Sequence, residues 1–126
     1  MRPGQAATKV HRGRMAHCAG MSAEDIVARH YEGLGCKLRE SRWRGQGGEI
    51  DLIFADGDAA VFVEVKKSAS FTSAAARLGP RQVMRLWQAA EEYLGSVGGS
   101  SLTECRFDVA LVDDLGRVDV IENALA

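Results

Sequence analysis

The sequence has few of the features that mark disulfide-rich, zinc-binding, secreted or membrane proteins. Its three cysteines, Cys18, Cys36 and Cys105, are odd in number and widely spaced, so they indicate neither a disulfide framework nor a CxxC zinc site. No stretch approaches the roughly 18–20 apolar residues of a membrane span. The basic N-terminus is not followed by the apolar segment of a secretory signal. These absences predict a cytoplasmic protein with free thiols and no membrane partner.

The chain also lacks a strong net charge, but its charges are unevenly distributed. Residues 1–90 contain 14 Lys and Arg against 9 Asp and Glu, a balance of +5, whereas residues 91–126 contain 2 against 8, a balance of −6. A near-neutral protein can therefore present a basic face, and nucleic-acid binding depends on the face rather than on the total. A solvated surface is the alternative for any single cluster.

The length of 126 residues and the ordinary apolar content predict one domain, residues 20–126, preceded by an arm, residues 1–19. The basic residues of the arm are Arg2, Lys9, Arg12 and Arg14. Because the arm has no acidic residue and few large apolar side chains, it is predicted to be flexible and able to touch phosphates. An upstream start codon is the alternative, since Met15 and Met21 lie within the chain.

The most informative stretch is a predicted β-hairpin between residues 49 and 66. A turn signal of Asp, Gly and Asp separates two apolar-rich runs. A two-residue turn at Gly57 and Asp58 would place three apolar pairs on one side, because side chains alternate along a strand. These pairs are Leu52 with Val63, Ile50 with Val65, and Phe54 with Val61. That side is predicted to face the core.

The other side of the predicted hairpin ends in charged residues, with Asp51 opposite Glu64 and Glu49 opposite Lys66. Glu49 and Lys66 can neutralise each other, but like charges directly opposite destabilise a sheet. A hard divalent cation between Asp51 and Glu64 would make their opposition favourable. Lys66 beside such a site could orient or deprotonate a water molecule, or stabilise developing negative charge. A three-residue turn would shift the register and break the pair.

The segment GEIDLIFADGDAAVFVEVK resembles the D…(D/E)-x-K core of the PD-(D/E)XK nuclease superfamily. More narrowly, it resembles the YraN family of small bacterial proteins related to Holliday-junction resolvases. The resemblance covers residues 20–126. It implies an α/β, restriction-endonuclease-like fold, a mixed sheet of about five strands flanked by helices in helix–strand–strand–strand–helix–strand order. It also implies metal-dependent endonucleolytic hydrolysis of nucleic acid, with branched or junction DNA among the candidate substrates, and by analogy a homodimer.

The resemblance assigns roles to the charged residues of the hairpin. Asp51 and Glu64 would hold Mg²⁺ or Mn²⁺, and Glu24 would complete the metal site. Lys66 would position or deprotonate the attacking water. Glu49 would either ligate the metal or hold Lys66 through an ion pair.

Glu24 belongs to a predicted first helix. Ser22 is suited to the N-cap, Glu24 and Asp25 lie in the first turn, and Gly35 ends the helical pattern. The segment AEDIVARHYEGLG aligns with the first helix of the family, where an acidic position supplies a carboxylate to the metal. The alternative is a charge that interacts only with the helix dipole. Asp25 takes the role if the alignment slips by one residue.

A second helix is predicted from Pro80 to Gly95, with an apolar stripe and a basic flank. The stripe consists of Met84, Trp87, Ala90, Tyr93 and Leu94. The predicted phosphate contacts of this region, which contains no acidic residue, are Lys67, Arg77, Arg81 and Arg85, beside Lys66. GPRQVMRLWQAAEEYL resembles the helix that follows the motif in the family. Gln82 stands where the family commonly has Lys, and its amide could bind a phosphate or water.

The triplet Arg42-Trp43-Arg44 ends the first predicted strand of the domain. Such a basic–aromatic–basic sequence can contact phosphate and stack on a base. The favoured alternative is a strand with one buried tryptophan between solvated arginines. The glycine-rich segment 45–48 that follows lacks the Gly-Lys-Ser/Thr ending of a P-loop and is predicted to be a flexible loop.

The C-terminal part is predicted to hold a buried strand at residues 105–114 and a final strand after it. The intervening helix makes the first of these parallel to the strand of Glu64. Asp108 is predicted to be structural, bonded to backbone or to an arginine.

Three functions are compatible with these features. The intact set of Asp51, Glu64 and Lys66 favours a nuclease. The alternatives are a non-catalytic nucleic-acid-binding accessory protein of the same fold and a protein-interaction domain whose charged face is an ion-pair network.

Overall fold

The computed structural model describes residues 21–68, 78–97 and 104–124, and the backbone of residues 9–12. Its elements in chain order are β1 (Lys9–Arg12), α1 (Ala23–Gly33), β2 (Lys37–Arg44), β3 (Glu49–Asp56), β4 (Ala59–Lys67), α2 (Pro80–Ser96), β5 (Cys105–Val112) and β6 (Val118–Glu122). Within these ranges, neither helix is long and apolar enough to cross a membrane.

The strands form one mixed sheet in the order β1-β6-β5-β4-β3-β2. Strands β4 and β5 are parallel and the other neighbours are antiparallel. The predicted α/β class, the element order of the domain and the parallel pairing across α2 are confirmed. A parallel pair needs a long crossover, and the segment containing α2 supplies it.

Strand β1 adds a sixth strand that the sequence analysis did not predict. It lies within the predicted arm and pairs antiparallel with β6, with Lys9 opposite Glu122. Four residues carry too little alternation to predict a strand, whereas the free edge of β6 provides backbone hydrogen-bonding partners for it. The rest of residues 1–19 lies outside the described residues.

The two helices pack on opposite faces of the sheet. The cluster around α1 includes Leu52 and Val63, whereas the cluster around α2 includes Ile53 and Phe62. Because neighbouring residues of a strand point to opposite faces, these two clusters must lie on the two sides of β3 and β4.

The hairpin has the predicted register. Leu52 lies opposite Val63, and the pairing continues without a shift to Asp56 opposite Ala59. Gly57 in the turn has a φ of 62°, a left-handed conformation that favours glycine. The predicted two-residue turn is therefore confirmed.

The predicted side of Ile50 was wrong. Ile50 packs in the α2 cluster, whereas its predicted partner Val65 packs against the α1 cluster. The strands are distorted here, because Arg42 on β2 has a φ of 53° and the Val65 N–H donates to Asp51 Oδ2 at 2.8 Å. Simple alternation along β3 therefore stops at Asp51.

The predicted stripe of α2 was also partly wrong. The buried residues of this helix are Leu86, Ala89, Ala90 and Tyr93. Met84 is 63% exposed and Trp87 is 42% exposed. At about 100° per residue the buried set forms one face, and Trp87 lies at its margin with its ring 4.8 Å from that of Phe107.

Candidate active site

Strands β3 and β4 and helix α2 bring three polar side chains together. The carboxyl groups of Asp51 and Glu64 lie within hydrogen-bonding contact. Asp51 Oδ2 accepts the backbone N–H of Val65, and Gln82 Nε2 donates to Glu64 Oε2 at 2.5 Å. Each carboxyl group is therefore oriented by a separate donor while it faces the other.

This contact changes the ionisation of Glu64. Burial raises its pKa, the charge of Asp51 and the hydrogen bond between the two groups raise it further, and the pKa reaches about 8. Gln82 and the positive charge of Lys66 act in the opposite direction. Without a bound metal ion, Glu64 therefore favours its protonated form at neutral pH, which relieves its repulsion with Asp51.

The other two predicted carboxylates form ion pairs with arginines. Glu24 Oε1 lies 3.9 Å from an Arg42 guanidinium nitrogen, and Glu49 Oε2 lies 2.9 Å from one of Arg44. In the part of the chain that the structure describes, no three His, Cys, Asp or Glu side chains are grouped so as to hold a metal ion. The structure thus brings Asp51, Glu64, Lys66 and Gln82 together, but it does not bring Glu24 or Glu49 into the carboxylate pair.

The carboxylate pair nevertheless has the chemistry of a hard-cation site. Two carboxylates in contact supply oxygen ligands of the kind that Mg²⁺ and Mn²⁺ take. Glu24 lies outside this pair, in an ion pair with Arg42 of β2. Asp51 and Glu64 therefore fit a divalent cation held between them.

The triplet Arg42-Trp43-Arg44 on β2 has the favoured structural arrangement, in which the tryptophan packs inward and the two arginines are solvated. The Trp43 ring packs edge-to-face on Tyr93, with ring centroids 5.5 Å apart, and it belongs to the α2 cluster. The side chains of Arg42 and Arg44 are 70% and 78% exposed. Trp43 thus supports the core, while the arginines flank the site at the surface.

The predicted basic contacts lie in different places. Arg81 and Arg85 are exposed on α2, on either side of Gln82 in the sequence. Lys67, also exposed, lines a cavity of about 210 Å³ with Met21 on the α1 side of the sheet. Arg77 lies outside the described residues.

Glu92 is a residue of the site region that was not predicted from the sequence. This residue of α2 accepts hydrogen bonds from the backbone of Gln46 and Gly47 in the loop that was predicted to be flexible. The two partners are 46 and 45 residues away. Only the close run of glycines before Asp51 signals that something packs tightly there.

Comparisons with known proteins give a consistent family. A model of the family described as "Uncharacterised protein family UPF0102" matches residues 23–112. A UPF0102 protein of Roseobacter denitrificans is 50% identical over 122 residues, which cover 97% of this chain and 95% of that protein. One of Cereibacter sphaeroides is 52% identical over 114 residues, covering 90% and 97%. One of Ruegeria pomeroyi is 53% identical over 113 residues, covering 90% and 92%.

Proposed function

This chain belongs to the UPF0102 family, and we propose that it is a metal-dependent nuclease that hydrolyses phosphodiester bonds in DNA. Its family membership confirms the predicted resemblance to the YraN family. The observation that carries the proposal is the placement of Asp51 and Glu64 on neighbouring strands, where the Val65 N–H donates to Asp51 and Gln82 donates to Glu64, so that the two carboxyl groups interact with each other and with Lys66. The similarity of this D…E-x-K spacing to that of PD-(D/E)XK nucleases supports the same reaction.

Asp51 and Glu64 would hold Mg²⁺ or Mn²⁺, and Glu24 would have to leave its ion pair with Arg42 to act as a third ligand. The bound ion would supply an activated water molecule and would neutralise negative charge at the phosphate. Gln82 keeps Glu64 oriented through its amide hydrogen bond, and the Val65 N–H does the same for Asp51. Lys66 would donate to the attacking water or to the phosphate oxygens.

Helix α2 would also contact the substrate. Arg81 and Arg85 are exposed on the same helix as Gln82, so they can reach phosphates that flank the scissile bond. Arg42 and Arg44 are exposed on β2, where they pair with Glu24 and Glu49, and would add further phosphate contacts. Branched DNA, cut by a homodimer, is the substrate class that the resolvase analogy favours.

The proposal is tested by cleavage of labelled single-stranded, duplex, flap and four-way-junction DNA with Mn²⁺ or Mg²⁺. The variant is Asp51→Asn, and the matched control is Asp58→Asn, which makes the same charge change in the exposed turn between β3 and β4. We expect metal-dependent cutting by the wild type and by Asp58→Asn, and its loss in Asp51→Asn.

Two outcomes would overturn the nuclease. Salt-sensitive DNA binding without cutting would favour the non-catalytic accessory protein. Absence of both cutting and binding would favour a protein-interaction domain.

A further inference from the structure

One side chain of α2 holds the loop between β2 and β3, residues 45–48. Glu92 Oε2 accepts the N–H of Gln46 at 2.7 Å, and Glu92 Oε1 accepts the N–H of Gly47 at 2.5 Å. The loop is closed by a hydrogen bond from the Gly45 N–H to the Gly48 carbonyl at 2.9 Å. Hydrogen bonds from backbone N–H groups to a carboxylate are charge-assisted and stronger than neutral ones.

At Gly47 the loop lies so close to α2 that a side chain would not fit without a shift. A Cβ at Gly45 would lie 2.5 Å from Glu92 Oε2, and a Cβ at Gly47 would lie 2.8 Å from the Cβ of Gln88. Neither glycine has a positive φ. Glycine is therefore favoured here by the close approach of the loop to α2 and not by the backbone conformation. The loop is therefore built to fit against this helix.

The same helix thus holds the segments of both carboxylates. Gln82 bonds directly to Glu64, and Glu92 bonds to the loop that leads into Asp51, four residues beyond Gly47. The two residues of α2 are about 15 Å apart along the helix axis. A rigid helix anchored at both points would set the distance between the two strands' carboxylates.

We propose that Glu92 is a positioning residue that sets the location of Asp51 relative to Glu64 by anchoring the loop 45–48 to α2. The effect of Glu92 on catalysis rests on the proposed nuclease function. The effect of Glu92 on the position of Asp51 can be tested independently, because the Val65 N–H donates to Asp51 Oδ2 and so reports that position without any metal.

The test is amide hydrogen exchange by NMR on the metal-free full-length chain. In Glu92→Ala we expect exchange of the Val65 amide to accelerate about tenfold, while the amide of Phe62 in the buried part of the same strand stays unchanged. Glu92→Gln keeps one carbonyl acceptor, so its acceleration should be smaller, about threefold. The control Glu91→Gln changes the charge of the exposed neighbour and should alter neither amide.

An unchanged exchange rate of the Val65 amide in both Glu92 variants would overturn the proposal, even if the amides of Gln46 and Gly47 exchanged faster. Faster exchange of the Phe62 amide in Glu92→Ala would indicate general unfolding. In that case the Glu92→Gln variant is used: faster exchange at Val65 but not at Phe62 supports the proposal, and unchanged exchange at Val65 overturns it.

A kinetic measurement separates this inference from the proposed function. If the wild type cuts DNA, Glu92→Ala should lower kcat about tenfold with KM unchanged, and the Glu92→Gln variant should recover part of the loss. A change in KM alone would count against positioning. If the wild type does not cut, the nuclease fails and the Val65 amide still decides the role of Glu92.

Discussion

Glu64 shows how a single side chain acquires unusual chemistry from its surroundings. Its carboxyl group is partly buried and touches a second carboxyl group, and both effects favour its protonated form. The hydrogen bond from Gln82 and the charge of Lys66 limit the rise of its pKa. A group in this state can exchange its proton for a cation near neutral pH, as a metal ligand would.

The raised pKa predicts a pH dependence of stability. Between the ordinary carboxyl pKa of 4.5 and the folded value of about 8, the folded chain keeps a proton that the unfolded chain loses. Stability should therefore fall as pH rises through this window and level off above it. The expected loss is about 1–2 kcal/mol, a figure that allows for solvent screening of a partly exposed group.

The measurement is urea unfolding of wild type and Glu64→Gln from pH 5 to pH 9 in a chelating buffer. Glu64→Gln keeps an uncharged group in place, so its stability should depend less on pH in this window. Parallel curves for the two proteins would contradict the raised pKa of Glu64.

Helix α2 connects the core, the site and the surface. Its buried face packs on the sheet, Gln82 and Glu92 reach towards β4 and the β2–β3 loop, and Arg81 and Arg85 point to solvent. Two charges on one exposed helix are individually ordinary, but their position next to the carboxylate pair makes them candidates for phosphate contacts.

Arg81→Ala should weaken DNA binding uniformly across sequences, because a phosphate contact carries no base information. It should also reduce the slope of log affinity against log salt by about one. Fluorescence anisotropy at several salt concentrations measures both. Arg29→Ala removes an equally exposed arginine from α1 and serves as the control. Equal slopes for Arg81→Ala and wild type would remove Arg81 from the interface.

The fold as a whole is joined by a buried polar network at Asp108. Tyr31 of α1 donates to Asp108 Oδ2 at 2.6 Å, Arg106 Nε donates to Oδ1 at 2.9 Å, and the Asn123 N–H donates to Oδ1 at 3.0 Å. Burial and the negative charge of Asp108 raise the pKa of Tyr31, so its hydroxyl remains a donor. The network connects α1, β5 and the chain after β6, and it confirms the predicted structural role of Asp108.

Asp108→Asn should destabilise the protein by about 3 kcal/mol, because it removes one of the two carboxylates, with Glu122, that balance a buried guanidinium and turns one acceptor into a donor. Urea unfolding of this variant beside Asp114→Asn, an exposed change of the same kind, measures the effect. Equal stabilities of the two variants would show that the network contributes nothing.

Several features followed from the sequence alone because they are local. The turn at Gly57, the alternation of apolar residues and the cap of α1, where Ser22 Oγ accepts the Asp25 N–H, involve neighbours in the chain. The order of strands and helices also followed, since a helix between two strands favours their parallel pairing. The contact of Asp51 with Glu64 could be predicted because one short turn joins their strands.

Tertiary structure decided what depends on distant segments. The side of Ile50 follows from a distortion between β2 and β3, and the partner of Glu24 on α1 follows from the position of Arg42 on β2. Glu92 meets its loop only because α2 docks on the sheet. Periodicity specifies which face of an element is apolar, but the docking of whole elements determines which polar groups meet across 40 or more residues.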